Sequence, residues 1–153
     1  MAGLELRIPP PVYVVVIALL MWLVSRVSPG LAMPWAWRAG IALVLLVAAL
    51  GISASAIVAF SRARTTIHPL HPSHTSAIVT TGVYRVSRNP MYLAMLVGLI
   101  AIGILLGNAF AVALACCFVP LVDAVQIRPE ERILAIRFGD PYRDYCRRVR
   151  RWI

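Results

Sequence analysis

The amino-acid sequence predicts an all-α integral membrane protein, a helical bundle of about four transmembrane helices followed by a cytoplasmic amphipathic C-terminal helix. Hydrophobic residues make up 61% of the 153 positions, which would leave a soluble domain of this size too little polar surface. All 15 basic residues are arginine, and nearly all lie between or after long apolar runs. The net charge of +9 is therefore a topology signal, and nucleic-acid binding is not expected because aromatic interleaving and a soluble scaffold are missing.

Two predicted spans occupy the first half of the chain. The first covers about residues 12–25, directly after Pro9–Pro11, which stop a helix from extending backwards. It is short for a bilayer crossing of about 20 residues, unless the Arg26 side chain reaches out to the interface. After a turn at Pro29, the second span covers about residues 39–60.

Two further spans form a tight helical hairpin. They cover about residues 91–107 and 109–127, and Asn108 alone separates them. Gly98 and Gly103 are expected to let another helix approach the third span closely, because glycine has no side chain to hold the backbones apart.

The segments that flank this hairpin carry most of the arginines. A polar loop, residues 61–90, precedes the hairpin, and a tail, residues 128–153, follows it, whereas the turn at Asn108 is uncharged. The positive-inside rule then places the loop, the tail and both termini in the cytoplasm. We expect the protein in the inner (cytoplasmic) membrane. Residues 130–138 read as an amphipathic helix that ends at Gly139. Four arginines of the tail are expected to hold anionic lipid headgroups: Arg147, Arg148, Arg150 and Arg151.

A candidate binding site combines two separate polar stretches. Gly82 permits a tight turn, and Pro90 occupies the first turn of the third span, so that arginines and tyrosines are displayed at a helix N-terminus, which favours anions. After the fourth span comes the only adjacent acidic pair of the chain, Glu130 and Glu131. Because the hairpin returns the chain to its starting face, we predict one pocket suited to a zwitterion: carboxylates for an ammonium or sulfonium, and arginine for a carboxylate. The displayed side chains are Tyr84, Arg85, Arg88 and Tyr92.

Simpler interpretations of the same residues remain open. The loop arginines could be interfacial anchors, the two glutamates could pair with Arg128 and Arg132, and the tyrosines could be packing residues. Three histidines lie at intervals of three, but Pro69 and Pro72 prevent the regular helix that would align them, so no metal site is expected. These histidines are His68, His71 and His74.

Two ordered motifs resemble a known family. The pattern Ile-Val-x-x-Gly-x-Tyr-x-x-x-Arg-Asn-Pro-x-Tyr covers residues 78–92, and Glu-Glu-x-x-Leu-x-x-x-Phe-Gly-x-x-Tyr-x-x-Tyr covers residues 130–145. Both are similar to motifs of the isoprenylcysteine carboxyl methyltransferase and phospholipid methyltransferase superfamily of integral membrane enzymes. The resemblance covers residues 65–152.

The resemblance implies S-adenosylmethionine as cofactor, bound from the cytoplasm, and an amphiphilic or lipid-like acceptor that enters from the bilayer. In the isoprenylcysteine enzymes an arginine four residues before the first glutamate contacts the substrate. Here Gln126 occupies that position and the nearest arginine is Arg128, so these two are the candidate substrate residues. Matching positions predict cofactor contacts by Ser76, Ala77, Ile78, Val79, Gly82, Tyr84, Asn89, Pro90, Met91, Tyr92 and Glu130.

The implied reaction is a direct displacement at a sulfonium methyl, which requires positioning and a dry pocket more than a nucleophile. A carboxylate acceptor needs no base, whereas an amine or a thiol must lose a proton. The candidate catalytic residues are Arg88, Glu131 and His71.

Two alternatives from other functional classes are a non-catalytic membrane subunit that keeps the methyltransferase fold and a sterol-reductase-like oxidoreductase.

Overall fold

The computed structural model describes residues 8–63 and 78–153, and helices are the only regular elements in these two ranges. This confirms the predicted all-α class. A 3₁₀ turn covers Gly82–Arg85 and a π-helical turn covers Asp123–Ile127. The α-helices are α1 (Pro10–Val27), α2 (Trp35–Arg62), α3 (Pro90–Leu106), α4 (Ala109–Cys116), α5 (Phe118–Val122), α6 (Arg128–Phe138) and α7 (Asp140–Arg148).

Proline marks several helix starts. Pro10 and Pro11 lie in the first turn of α1, so this helix begins two residues before the predicted span. Proline also occupies the first turns of α3, α6 and α7. Its φ angle is already helical, and its missing N–H is one that a first turn leaves unpaired in any case.

Successive helices of the bundle run in alternating directions between its two ends. We call the long helical segments rods, and the first three are α1, α2 and α3. The hairpin end holds the turn at Gly107 and Asn108, where Asn108 Nδ2 donates to Ser28 Oγ at 2.8 Å and to Pro29 O at 3.2 Å. The motif end holds the start of α1, the end of α2 and both sequence motifs. There, Gln126 Nε2 donates to Ile8 O at 2.6 Å.

The hairpin turn is as tight as predicted. Gly107 ends α3 with φ 63°, and Asn108 caps α4 by accepting a hydrogen bond from Ala111 N at 2.9 Å. A Cβ on Gly103 would lie 2.8 Å from Val112 Cγ2, so this glycine permits the close approach of α4. The same expectation for Gly98 is wrong, because nothing lies within 4 Å of its Cβ position. Five helical residues rotate a side chain by roughly 140°, so the two glycines face different directions.

The fourth rod is one continuous helix, Ala109–Phe138, that joins α4, α5, the π-helical turn and α6. It runs through residue 127, where the predicted span ended. The π-helical turn lies directly before Pro129, whose ring disrupts the regular hydrogen bonding of the preceding turn. Asp123 and Gln126 both lie within the π-helical turn.

The core lies among α1, α3 and the fourth rod, where Met21, Leu99 and Phe118 are fully buried. In contrast, α1 and α2 expose large apolar side chains, for example Leu50 at 70%, as expected for faces that meet lipid. Among the described residues, three helices are long and apolar enough to cross a bilayer: Pro10–Val27, Trp35–Arg62 and Ala109–Phe138. The 17-residue α3 is about 26 Å long against an apolar core of about 30 Å, and the fourth crossing stays a prediction.

Candidate functional site

The two sequence motifs meet at the motif end through Tyr92 and Glu130. Tyr92, in the first turn of α3, donates its hydroxyl hydrogen to Glu130 Oε1 at 2.6 Å, although 38 positions separate the two residues. The antiparallel return of the fourth rod explains this contact. Tyr92 is only 7% exposed, so the bond lies in a largely dry environment. The hairpin therefore brings the two motifs together, as the sequence predicts.

Glu131 faces a different side from its neighbour, because consecutive helical residues are about 100° apart. Its carboxylate lies 3.0 Å from Arg88 NH1 and accepts from Arg151 Nε at 3.1 Å and from Arg151 NH2 at 2.6 Å. The side chains of Arg88 and Glu131 are 13% and 19% exposed. The acidic pair thus divides, with one carboxylate against a tyrosine and the other between two guanidinium groups.

Arg151 connects two of the three carboxylates of the fourth rod, Glu131 and Asp123. Besides Glu131 it holds Asp123, with NH1 2.8 Å and 3.1 Å from the two carboxylate oxygens. The hydrogen bonds to Glu131 raise the pKa of Arg151 above its usual value, so the group stays charged. The expectation that Arg151 holds lipid headgroups is wrong, because the tail folds back onto the bundle. Asp123 was the sequence signal for this contact, because an isolated aspartate in an apolar run usually has a buried cationic partner.

The tail also fixes the loop before α3 through backbone contacts. Arg150 O accepts from Arg88 N at 3.0 Å, and Arg151 O accepts from Asn89 Nδ2 at 3.0 Å. Ser87 is fully buried, and its hydroxyl accepts from Asn89 N at 3.1 Å. Trp152 then packs against the core. The side chain of Asn89 therefore has a defined structural contact, which no local sequence pattern indicated.

The 3₁₀ turn presents Tyr84 to the interior. Gly82 has φ 61°, a conformation that favours glycine, and this starts the turn. Tyr84 is 6% exposed and its ring meets that of Phe60 edge to face at 5.4 Å. Its carbonyl accepts from Tyr145 OH at 2.7 Å. Burial raises the pKa of Tyr145 to about 12, so its phenol remains a neutral donor at physiological pH.

The remaining predicted residues differ in how far they are buried. Val79 and Pro90 are buried, whereas Ile78 and Met91 are half-buried near the 3₁₀ turn and the start of α3. Arg85 is exposed. The predicted residues His71, Ser76 and Ala77 lie outside the described residues, as do His68 and His74.

Within residues 8–63 and 78–153, no three histidine, cysteine, aspartate or glutamate side chains are grouped to hold a metal ion.

The two candidate substrate residues lie on different sides of the fourth rod. Gln126 is fully buried, and its amide donates to Ile8 O. Arg128 is 66% exposed, and its Nε lies 3.0 Å from Asp123 Oδ2. This separation agrees with the roughly 200° that two helical positions rotate a side chain.

An outer groove of about 720 Å³ runs between the fourth rod and α7. This volume is within the range of about 300–1,000 Å³ that is typical of small-molecule sites. Four arginines against one glutamate make the groove cationic. At its base, Arg88 donates a hydrogen bond to Cys146 Sγ. The lining residues are Arg88, Ala124, Arg128, Glu131, Arg132, Ala135, Tyr142, Arg143 and Cys146.

Comparison with known proteins places this site in a family context. A protein of Haemophilus influenzae described only as uncharacterized is 41% identical over 63 residues, which are 41% of this chain and all of that protein. Two Arabidopsis thaliana proteins, Protein-S-isoprenylcysteine O-methyltransferase B and A, are 27% and 28% identical over 121 residues. Those residues are 79% of this chain but only 61% of each Arabidopsis protein. No solved structure matches significantly.

The family described as "Phospholipid methyltransferase" matches residues 37–141. This range includes all but the first two residues of α2, together with α3, the fourth rod, Tyr92 and both glutamates of the acidic pair. It confirms the superfamily predicted from the two motifs. The chain is an integral membrane protein that belongs to the phospholipid methyltransferase family.

Proposed function

We propose that this protein transfers the methyl group of S-adenosylmethionine to an amphiphilic or lipid-like acceptor at the cytoplasmic membrane face. The observation that carries the proposal is the hydrogen bond between Tyr92 and Glu130, which joins the two motifs in a protected position. Family membership and the methyltransferase names of the two Arabidopsis relatives support the reaction class.

The residues at the motif end fit such a cofactor. Glu130 offers a carboxylate to an ammonium or sulfonium, and the rings of Tyr84 and Tyr92 offer aromatic faces to a cation or a planar base. Val79 and Met91 supply apolar surface nearby. When bound, S-adenosylmethionine supplies an electrophilic methyl group. The protein's contribution is to orient the two reactants and to exclude water.

Arg88 and Glu131 act mainly as positioning residues in this proposal. Glu131 lies between two guanidinium groups, 3.0 Å from Arg88 NH1 and 2.6 Å from Arg151 NH2. The pair of Arg88 and Glu131 therefore connects the loop before α3 to the fourth rod. An amine or thiol acceptor requires a base, and His71 and Glu131 remain the candidates, whereas a carboxylate acceptor requires none.

The acceptor is not expected to be bound through a carboxylate clamp at Gln126. That residue is uncharged, and its amide already donates to Ile8 O. The cationic outer groove, which includes Arg128, is instead available to an anionic headgroup on the acceptor. The acceptor could still be methylated at a carboxyl, an amine or a thiol.

A transfer assay tests this function. Purified protein is incubated with methyl-tritiated S-adenosylmethionine and a total lipid extract, and radioactivity is counted in the organic phase. We expect transfer that depends on the protein and is reduced at least tenfold by Glu130→Gln. A protein that binds the cofactor but labels nothing, in lipid extract or with prenylated cysteine analogues, would contradict the proposal and favour a non-catalytic subunit.

A further inference from the structure

Three buried polar atoms at the motif end have no hydrogen-bond partner among the described residues. One is Nε of Arg88, a side chain whose NH1 already lies 3.0 Å from Glu131. The other two are the hydroxyl of Tyr13, in the first turn of α1, and Oε1 of Gln126, in the π-helical turn. An unpaired buried polar group costs about 1–3 kcal/mol, so each such atom in a folded protein calls for an explanation. The Tyr13 hydroxyl carries a donor hydrogen and Gln126 Oε1 is an acceptor, which makes these two complementary to a single ligand group.

Other contacts place both atoms at the same end of the bundle. Gln126 donates to Ile8 O, and α1 begins two residues after Ile8. Tyr13 packs against the buried cluster that contains Tyr92 and Ile127, the neighbour of Gln126. Long side chains in a helix lean toward its N-terminus, so the Tyr13 phenol is directed toward the end of α1 at which Gln126 lies.

Tyr13 lies outside residues 37–141, the range that matches the family, and the proposed cofactor contacts do not include it. On the outer face of α1, its neighbours Val12, Val15 and Val16 are 45%, 58% and 48% exposed. An apolar tail in the bilayer can therefore contact α1 beside this residue.

We propose that Tyr13 and Gln126 form a neutral polar subsite that binds a hydroxyl group of the amphiphilic acceptor. Tyr13 donates to the hydroxyl oxygen, and Gln126 Oε1 accepts the hydroxyl hydrogen. A carboxylate would oppose the lone pairs of Oε1, and an ammonium, which can donate to both oxygens, would leave the Tyr13 hydroxyl hydrogen without an acceptor. The subsite therefore selects a hydroxyl over either charged group. The identification of its ligand as the acceptor rests on the proposed function, whereas hydroxyl binding itself does not.

Calorimetry with short amphiphiles on the detergent-purified protein tests this subsite. The probes are decanol, decyl methyl ether, decanoate and decane. We expect the wild-type protein to bind decanol about fivefold more tightly than the ether, which accepts from Tyr13 but cannot donate to Gln126. A net hydrogen bond of about 0.5–1.5 kcal/mol corresponds to this size of effect. Decanoate is expected to bind more weakly than decanol.

Two variants separate the roles of the subsite residues. Tyr13→Phe keeps the ring and is expected to weaken decanol and ether binding about fivefold each, while decane binding is unchanged. Gln126→Met is expected to abolish the preference for decanol over the ether. Because Gln126→Met also loses the bond to Ile8 and can fail to fold, Tyr13→Phe carries the test. Circular dichroism and gel filtration check the fold of both variants.

Unchanged decanol affinity in Tyr13→Phe would overturn the proposal, with or without a fall in melting temperature, since Tyr13 would then be a packing residue. Equal binding of decanol and decane to the wild-type protein would overturn it as well. S-adenosylmethionine binding is measured in parallel. A protein that prefers decanol but does not bind S-adenosylmethionine would refute the proposed function and leave the subsite standing, whereas the reverse result would refute the subsite alone.

Discussion

Arg151 donates two hydrogen bonds to Glu131, from Nε at 3.1 Å and from NH2 at 2.6 Å, and so ties the C-terminal tail to the fourth rod. The same guanidinium holds Asp123. Two carboxylates that are 19% and 13% exposed thus share one cation, in addition to the contacts of Glu131 with Arg88 and of Asp123 with Arg128. The site region is therefore organised partly by a residue outside both sequence motifs.

We predict that Arg151→Ala lowers the free energy of unfolding by roughly 2–4 kcal/mol, because it leaves two half-buried carboxylates undercompensated. This expected loss of stability is smaller than the loss for a fully buried ion pair, because the Arg151 side chain is 32% exposed. Arg151→Lys keeps the charge but loses the paired geometry, and it is expected to cost less. Thermal unfolding in detergent measures both.

Arg147→Ala is the matched control, because Arg147 is 80% exposed and pairs only with the exposed Asp144 among the contacts seen. Its effect is expected to stay within about 0.5 kcal/mol. Equal melting temperatures for Arg151→Ala and Arg147→Ala would show that the buried network does not support the fold.

The two glycines of α3 give a second pair of variants. Gly103→Ala places a Cβ 2.8 Å from Val112 Cγ2 and 3.0 Å from Val112 N, so the hairpin must open, at a cost of about 1–3 kcal/mol. Gly98→Ala meets nothing within 4 Å and is expected to stabilise α3 by about 0.5–1 kcal/mol. Opposite shifts in melting temperature are the expected result. Shifts of the same sign would refute the helix packing.

Tyr145 makes stability depend on pH in the alkaline range. Burial raises its pKa to about 12 from a usual value of 10.0, so the folded state binds the phenolic proton more tightly than the unfolded state. Its stabilising contribution is therefore present below pH 10 and is lost as the pH rises toward 12. Tyr145→Phe removes the bond to Tyr84 O, costs about 1 kcal/mol at neutral pH, and is expected to flatten the alkaline decline. An unchanged decline in the variant would contradict this assignment.

Membrane topology is tested with single cysteines in a variant that lacks Cys116, Cys117 and Cys146. The labelling position at the hairpin turn is the exposed Ala109, because Asn108 itself is buried. We expect Ala109→Cys to react only with reagent outside the cell, and a cysteine at the exposed Arg148 only with reagent inside. Reaction of Ala109→Cys from the cytoplasm would mean that the hairpin does not cross the bilayer.

Local sequence signals predicted much of this fold, since long apolar runs, helix-starting prolines and a one-residue hairpin turn act over short distances. The meeting of Tyr92 with Glu130 followed from the hairpin alone. The role of Arg151 could not be predicted, because it depends on how the tail folds back onto the bundle. The continuation of the fourth rod beyond residue 127 was not predicted: a π-helical turn before Pro129 lets the helix continue where the change from apolar to charged residues indicated a boundary.

The nature of the acceptor is tested by methyl transfer to a farnesylcysteine analogue, to its amide and to total lipid extract. With Gln126 buried and neutral, we expect no strong preference for the free carboxylate over the lipid extract. Efficient ester formation on farnesylcysteine that is abolished by Arg128→Ala and unaffected by Gln126→Ala would instead show that the outer groove binds a prenylcysteine carboxylate.

The most direct test of the central claim is the affinity for S-adenosylmethionine of the wild-type protein and of Glu130→Gln, measured by calorimetry. Glutamine can still accept the Tyr92 hydrogen bond but carries no charge, so it separates ligand binding from folding. We expect affinity to fall by roughly 10- to 150-fold, as for the loss of a charged hydrogen bond worth about 1.5–3 kcal/mol. Asp140→Asn, on a side chain that is 84% exposed, is expected to change nothing. Equal affinity of the wild-type protein and Glu130→Gln would contradict the placement of the cofactor at Glu130.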